Sequence, residues 1–122
     1  MPHEDIGSVR DLILYRLETA ETNLKSAVIL RDHADFKGSN NRAYYSVFHS
    51  ITAVHAMDGQ SYKRHKDAIA NFNYNYVRTG IFPKELGRRI GRAELIRHHS
   101  DYDDFYIASK EETDALIQTA QD

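Results

Sequence analysis

The sequence contains no cysteine, an absence that removes disulfide frameworks, thiolate zinc sites and cysteine nucleophiles together. Proline and glycine are scarce, 2 and 6 in 122 residues, so little in the chain forces a turn and helical patterns can run long. No stretch approaches the roughly 20 consecutive apolar residues of a membrane span, and no membrane association is expected. Met1 to Gly7 is polar and acidic, without the basic run and apolar stretch of a secretory signal, so a cytoplasmic location is expected. The 7 histidines include no His-x-x-x-His pair, and His98 and His99 are neighbours that point apart on a helix. Neither a metal site nor a cofactor is expected. Asp101, Asp103 and Asp104 read as a solvated loop or as partners of basic side chains rather than as a magnesium site. Polar chemistry is left to His, Arg, Asp, Glu, Tyr and Ser.

What is present suits one helical domain spanning residues 1–122, with its core at about 8–120. From about Ser8 to Asp32, Ile13, Leu17, Ala20, Leu24 and Val28 recur at helical spacing. Ser39 or Asn40 can cap a second helix that ends at Asp58-Gly59. A third helix is predicted from about Lys63 to Val77. Pro83 opens a fourth that reaches about His98, with Leu86, Ile90 and Ala93 as its core stripe. A fifth begins at Ser109, where Ser-Lys-Glu-Glu fits a capping box with Glu112 reaching back. Short connections favour antiparallel neighbours, hence an up-and-down four-helix bundle with a fifth short helix. Charge is uneven: residues 1–59, 60–100 and 101–122 carry net −2, +6 and −6. That distribution fits either a local phosphate-binding face or solvated helix surfaces.

The second helix has two distinct faces on a 100° wheel. Tyr44, Val47, Phe48, Ile51 and Val54 form the core side. Arg42, Ser46, His49, Ala53 and Ala56 form the other, flanked by Tyr45 and Thr52, with too many small residues for an ordinary solvated face. Arg42 and His49 return to one azimuth at a rise of about 10 Å. On the fourth helix Arg88 and Arg92 face outward, as phosphate contacts or as a solubilising surface. Arg97 lies on the core stripe and should pair with Asp101 or Asp104 as a structural residue.

The run Asn41-Arg42-Ala43-Tyr44-Tyr45-Ser46-Val47-Phe48-His49 resembles the "NRAYY..FH" signature of a small bacterial and archaeal branch of the HEPN domain family. Thr79-Gly80-Ile81-Phe82-Pro83-Lys84-Glu85-Leu86-Gly87 resembles the branch's "TGLFPKELG" turn, and Arg97 with Asp101-Tyr102-Asp103-Asp104 its "R...ADYDD" segment. The likeness runs from about Leu14 to Ile117. It implies an Arg-x(4 to 6)-His ribonuclease centre at Arg42 and His49, and a toxin-like role beside a nucleotidyltransferase antitoxin. Ala43 stands where ribonuclease members often carry a polar residue.

Metal-independent RNA cleavage needs a base, an acid and a cation at the phosphate. Arg42 supplies the cation and His49 the proton transfer, with Asn41, Tyr45, Ser46, Arg88 and Arg92 as RNA or nucleotide contacts. One histidine cannot act as base and acid in a single step, so a homodimer is expected in which Ser46, Ala53 and Ala56 bring two second helices together. The same pattern also suits a non-catalytic module that docks a nucleotidyltransferase or holds a nucleotide, or a helical dimerisation domain.

Overall fold

A computed structural model describes the backbone of residues 2–103 and 105–122, and the side chains of residues 9–103 and 105–122. It contains five α-helices and no strand among the described residues: α1 (Pro2–Asp32), α2 (Phe36–Met57), α3 (His65–Phe72), α4 (Lys84–Tyr102) and α5 (Lys110–Gln121), with a π-helical turn at Asn73–Val77 after α3. The fold is the all-α bundle expected from the sequence. No helix among the described residues is long and apolar enough to cross a membrane.

Helix α2 is the central element. It runs antiparallel to α1, as three polar contacts show: Arg16 donates to the Thr52 carbonyl at 2.9 Å, Arg42 to Asn23 Oδ1 at 3.4 Å, and Ser39 to the Ala27 carbonyl at 2.7 Å. Small residues make this approach possible. Ala20 and Ala27 of α1 are buried, whereas Leu17 of the expected stripe is exposed. The register set by the three contacts puts Ala20 opposite Ser46, both buried in the α1–α2 interface.

Two apolar clusters close the bundle. Tyr44, Val47, Ile51, Ile69, Phe72, Tyr76 and Ile90 fill one, and Ala27, Ala43, Ala93, Ile96, Leu116 and Ile117 the other. Each large side chain buried in this way contributes about 1.5–3 kcal/mol. Ala43 is fully buried in the second cluster, so its small size is dictated by the approach of α1, α4 and α5.

The start of α2 differs from the expected one. Asp35 is the cap, its carboxylate accepting from the Gly38 N–H at 3.0 Å. A Cβ at Gly38 would stand 2.5 Å from Asp35 Oδ2, so glycine leaves room for the cap. Ser39 and Asn40 lie inside the first turns and point inward. Asn40 donates to Ser100 Oγ of α4 at 3.1 Å and accepts from the Thr113 hydroxyl of α5 at 2.8 Å. The α5 capping box is half formed. Ser109 Oγ accepts from the Glu112 N–H at 3.1 Å, while the Glu112 carboxylate accepts from the hydroxyls of Tyr106 and Ser109 rather than reaching back to the backbone.

Because Asn40 is buried and bonded to two other helices, Asn40→Ala should lower stability by about 1–3 kcal/mol, stranding the Ser100 hydroxyl and leaving that of Thr113 to the Ser109 carbonyl. Urea unfolding measures this. A loss below about 0.5 kcal/mol, typical of surface substitutions, would show that the hub does not hold the helices.

Candidate functional site

The polar and aromatic residues of the "NRAYY..FH" stretch leave α2 in three directions. Asn41 donates to Asp101 Oδ2 of α4 at 2.9 Å. Arg42 is exposed on the α1 side, where its guanidinium donates to Asn23 Oδ1. Tyr44, Tyr45 and Phe48 cluster around a residue from outside the helix, His65 at the start of α3. Its ring stacks on Phe48 with centroids 3.8 Å apart and meets Tyr45 edge-on at 5.7 Å. His49 lies 6.2 Å from Tyr45 and 6.0 Å from Phe48 between centroids. The two imidazoles thus flank the same pair of aromatic rings.

Arg97 of α4 closes the other side. Its guanidinium carbon stands 4.6 Å from the Tyr44 ring centroid and 5.9 Å from that of Tyr45. It pairs with Asp101 at 3.6 Å, one of the two carboxylates named from the sequence. Asp104, the alternative partner, lies outside the described residues. Arg97 Nε is buried without an acceptor among the described residues, so the tyrosine faces and Asp101 supply its stabilising contacts.

Several expected members of the site fall elsewhere. Ser46, Ala53 and Ala56 are 2%, 1% and 6% exposed within the single chain. The expectation that they contact substrate or a second copy is therefore corrected. They are small because α1 packs over them, and Ser46 cannot reach the surface. Arg88 and Arg92 line a groove between α4 and α5 with Arg89, Ala115 and Thr119, of about 260 Å³, apart from Arg42 and His49. Each already faces a carboxylate, Glu85 and Glu112 respectively. Among the described residues no group of three or more His, Cys, Asp or Glu is placed to hold a metal ion.

Electrostatics distinguish the imidazoles. Burial, then the positive charge of Arg16, then that of His65, hold the His49 pKa below its ordinary value. Burial and Arg97 lower that of His65, partly opposed by Glu94. Burial foremost raises the Tyr44 phenol to about 12, with Arg97 opposing and Glu94 adding to the rise. The phenol therefore keeps its proton, and both imidazoles favour the neutral form.

Sequence reasoning missed His65 and Arg16. Arg16 left a signal, a cation three residues after Ile13 and four before Ala20 within the α1 stripe. His65 left none, since it sits in the basic run Lys63-Arg64-His65-Lys66 and only the tertiary fold brings it to α2.

The lowered imidazole pKa values carry a signed consequence. The unfolded chain binds these protons more readily than the folded one. The associated stability is fully present above the ordinary pKa of about 6.5 and is lost as pH falls through the lower folded values. Thermal unfolding should move to lower temperature between about pH 7.5 and 5.5, and the double variant His49→Gln, His65→Gln should show a flatter dependence. An unchanged slope in that variant would contradict this electrostatic picture.

The family model described as HEPN domain matches residues 13–122. A protein of Methanocaldococcus jannaschii bearing the name "putative toxin" is 30% identical over 93% of this chain and 84% of its own length. A second so named from the same organism is 27% identical over 83% and 69%. A UPF0332 protein of Thermotoga maritima is 29% identical over 90% and 83%. The match of the family model to nearly the whole chain means that this protein belongs to the HEPN domain family.

Proposed function

We propose that this protein is a toxin-like, metal-independent endoribonuclease whose active strip is the outer face of α2, with His49 as general acid or base and Arg42 as phosphate clamp. The observation that carries the reading is the state of His49. Its imidazole is half-buried, favours the neutral form through burial and then the charge of Arg16, and makes no side-chain hydrogen bond among the described residues. A neutral imidazole with free nitrogens in cationic surroundings is ready to accept a proton from a ribose hydroxyl drawn in by its phosphate. Arg42 is exposed and only loosely engaged by Asn23, free to swing onto a phosphate. Tyr45, between the imidazoles, offers a ring for a base to stack on.

A nucleotidyltransferase antitoxin is the partner we propose, in a single-domain, cytoplasmic protein. The proposed homodimer must use a face other than the Ser46, Ala53 and Ala56 strip. The exposed stripe of Gly91, Leu95 and His98 on α4, bordering Arg97, is our choice. One observation favours the second reading, a non-catalytic docking module. Phe105 and Ile107 are 94% and 88% exposed, and contiguous apolar exposure of that kind marks interaction surfaces.

Purified protein should cleave single-stranded RNA in the presence of a chelator. His49→Ala should slow cleavage by about 10² to 10⁴. Arg42→Lys should also fail, because a point charge does not reproduce the planar fork of a guanidinium. Both variants cleaving at the wild-type rate would overturn the site. A wild type that leaves RNA intact yet binds a nucleotidyltransferase would favour the docking module.

A further inference from the structure

The strongest feature outside the proposed pair is the contact between Tyr44 and His65. Tyr44 is fully buried, and a buried hydroxyl proton needs an acceptor. Among the described residues the atom within reach is His65 Nδ1, at 3.0 Å. Tyr44 therefore donates to Nδ1, and neutral His65 must carry its own proton on Nε2. Nε2 has no protein partner among the described residues, and the ring is half-buried rather than enclosed.

The rest of the environment fixes that arrangement. The imidazole is clamped between the Phe48 face at 3.8 Å and the Tyr45 edge at 5.7 Å. Burial, then Arg97, which lies over the Tyr44 ring, disfavours a second proton on His65, and Glu94 opposes them. An oriented N–H on a neutral ring, beside the rings that flank His49, matches what charge developing on a phosphate requires: a fixed donor that needs no reorganisation.

We propose that His65 is a second substrate-contacting residue of this site, its Nε2–H donating a hydrogen bond to a phosphodiester oxygen of bound RNA, with Tyr44 as the positioning residue that sets its tautomer. This rests on the reading of the α2 strip as an RNA-handling site. His65 exchanges no proton in this role. It stabilises charge on the phosphoryl oxygen while His49 takes the proton of the attacking 2'-hydroxyl, and the leaving 5'-oxygen takes its proton from water.

The test uses the intact protein and a short RNA, in cleavable form and with 2'-O-methyl groups that block attack. His65→Ala should lower kcat by about 10² to 10³, the typical effect of losing one oxyanion donor. His65→Gln, which retains an N–H, should recover at least about tenfold of that. Tyr44→Phe should fall between wild type and His65→Ala in kcat with KM little changed, and should redistribute the His65 tautomer in ¹⁵N spectra while circular dichroism stays unchanged. The wild-type His65 Nε2–H resonance should shift on saturation with the 2'-O-methyl RNA. If His65→Ala cleaves as fast as wild type while His49→Ala does not, the inference falls and the α2 reading stands. If wild type fails to cleave, the nuclease reading falls, and the 2'-O-methyl titration decides this one: a shift at His65 supports it. No shift at His65 overturns it, and no shift at either imidazole overturns both.

Discussion

Three consecutive polar side chains at the start of α2 tie that helix to every other long helix of the bundle. Ser39 bonds the α1 backbone, Asn40 bonds Ser100 of α4 and Thr113 of α5, and Asn41 bonds Asp101 at the end of α4. A buried carboxamide with one donor and one acceptor engaged tolerates little sliding, because any shift strands polar groups away from water. The axial position and rotation of α2 are thereby fixed one turn before Tyr44 and Tyr45. The Asn41–Asp101 bond also orients the carboxylate that pairs with Arg97, so the hub sets the far wall of the site as well as its floor.

With α2 so fixed, its surface divides differently from a simple inside and outside. The small residues Ser46, Ala53 and Ala56 face α1, and the close approach they allow brings Arg16 to the Thr52 carbonyl and within electrostatic range of His49. The aromatic residues face α3 and α4, where Tyr44 and Tyr45 receive Arg97 and Phe48 receives His65. The strip between these borders, Arg42, Tyr45 and His49, is what remains for a ligand. Burial, helped by cations on both sides of it, keeps the imidazoles neutral, the state in which they accept or present single protons.

The helices were legible because scarce glycine and proline leave the apolar periodicity intact, and Gly80, with φ of 85°, falls where the third and fourth helices were separated. The start of α2 was misplaced for a specific reason. Ser, Asn and Asp all satisfy the same capping preference, and only tertiary packing decides which of them turns inward. The same ambiguity applied to the small-residue strip: sequence specifies that a backbone comes close, not whether that backbone is α1 or a second chain. For Arg97 the sequence offered Asp101 or Asp104 as a nearby carboxylate but ended the helix near His98; α4 runs on to Tyr102, which puts Asp101 four residues from Arg97 on one face. His65 was not readable, because it lies on α3 while its ring partners lie on α2, and no local pattern encodes that contact.

The account stands on two neutral imidazoles held by the fold around Tyr44, Tyr45 and Phe48, with the tautomer of one of them set by a buried phenol. Long-range ¹H–¹⁵N correlation of the histidine rings in ligand-free protein at about pH 7, just above the ordinary imidazole pKa, reads this directly. The expected result is His49 and His65 both neutral, with His65 protonated on Nε2 and its Nδ1 shift moved by an accepted hydrogen bond. A His65 protonated on Nδ1, or either ring doubly protonated at that pH, would contradict it.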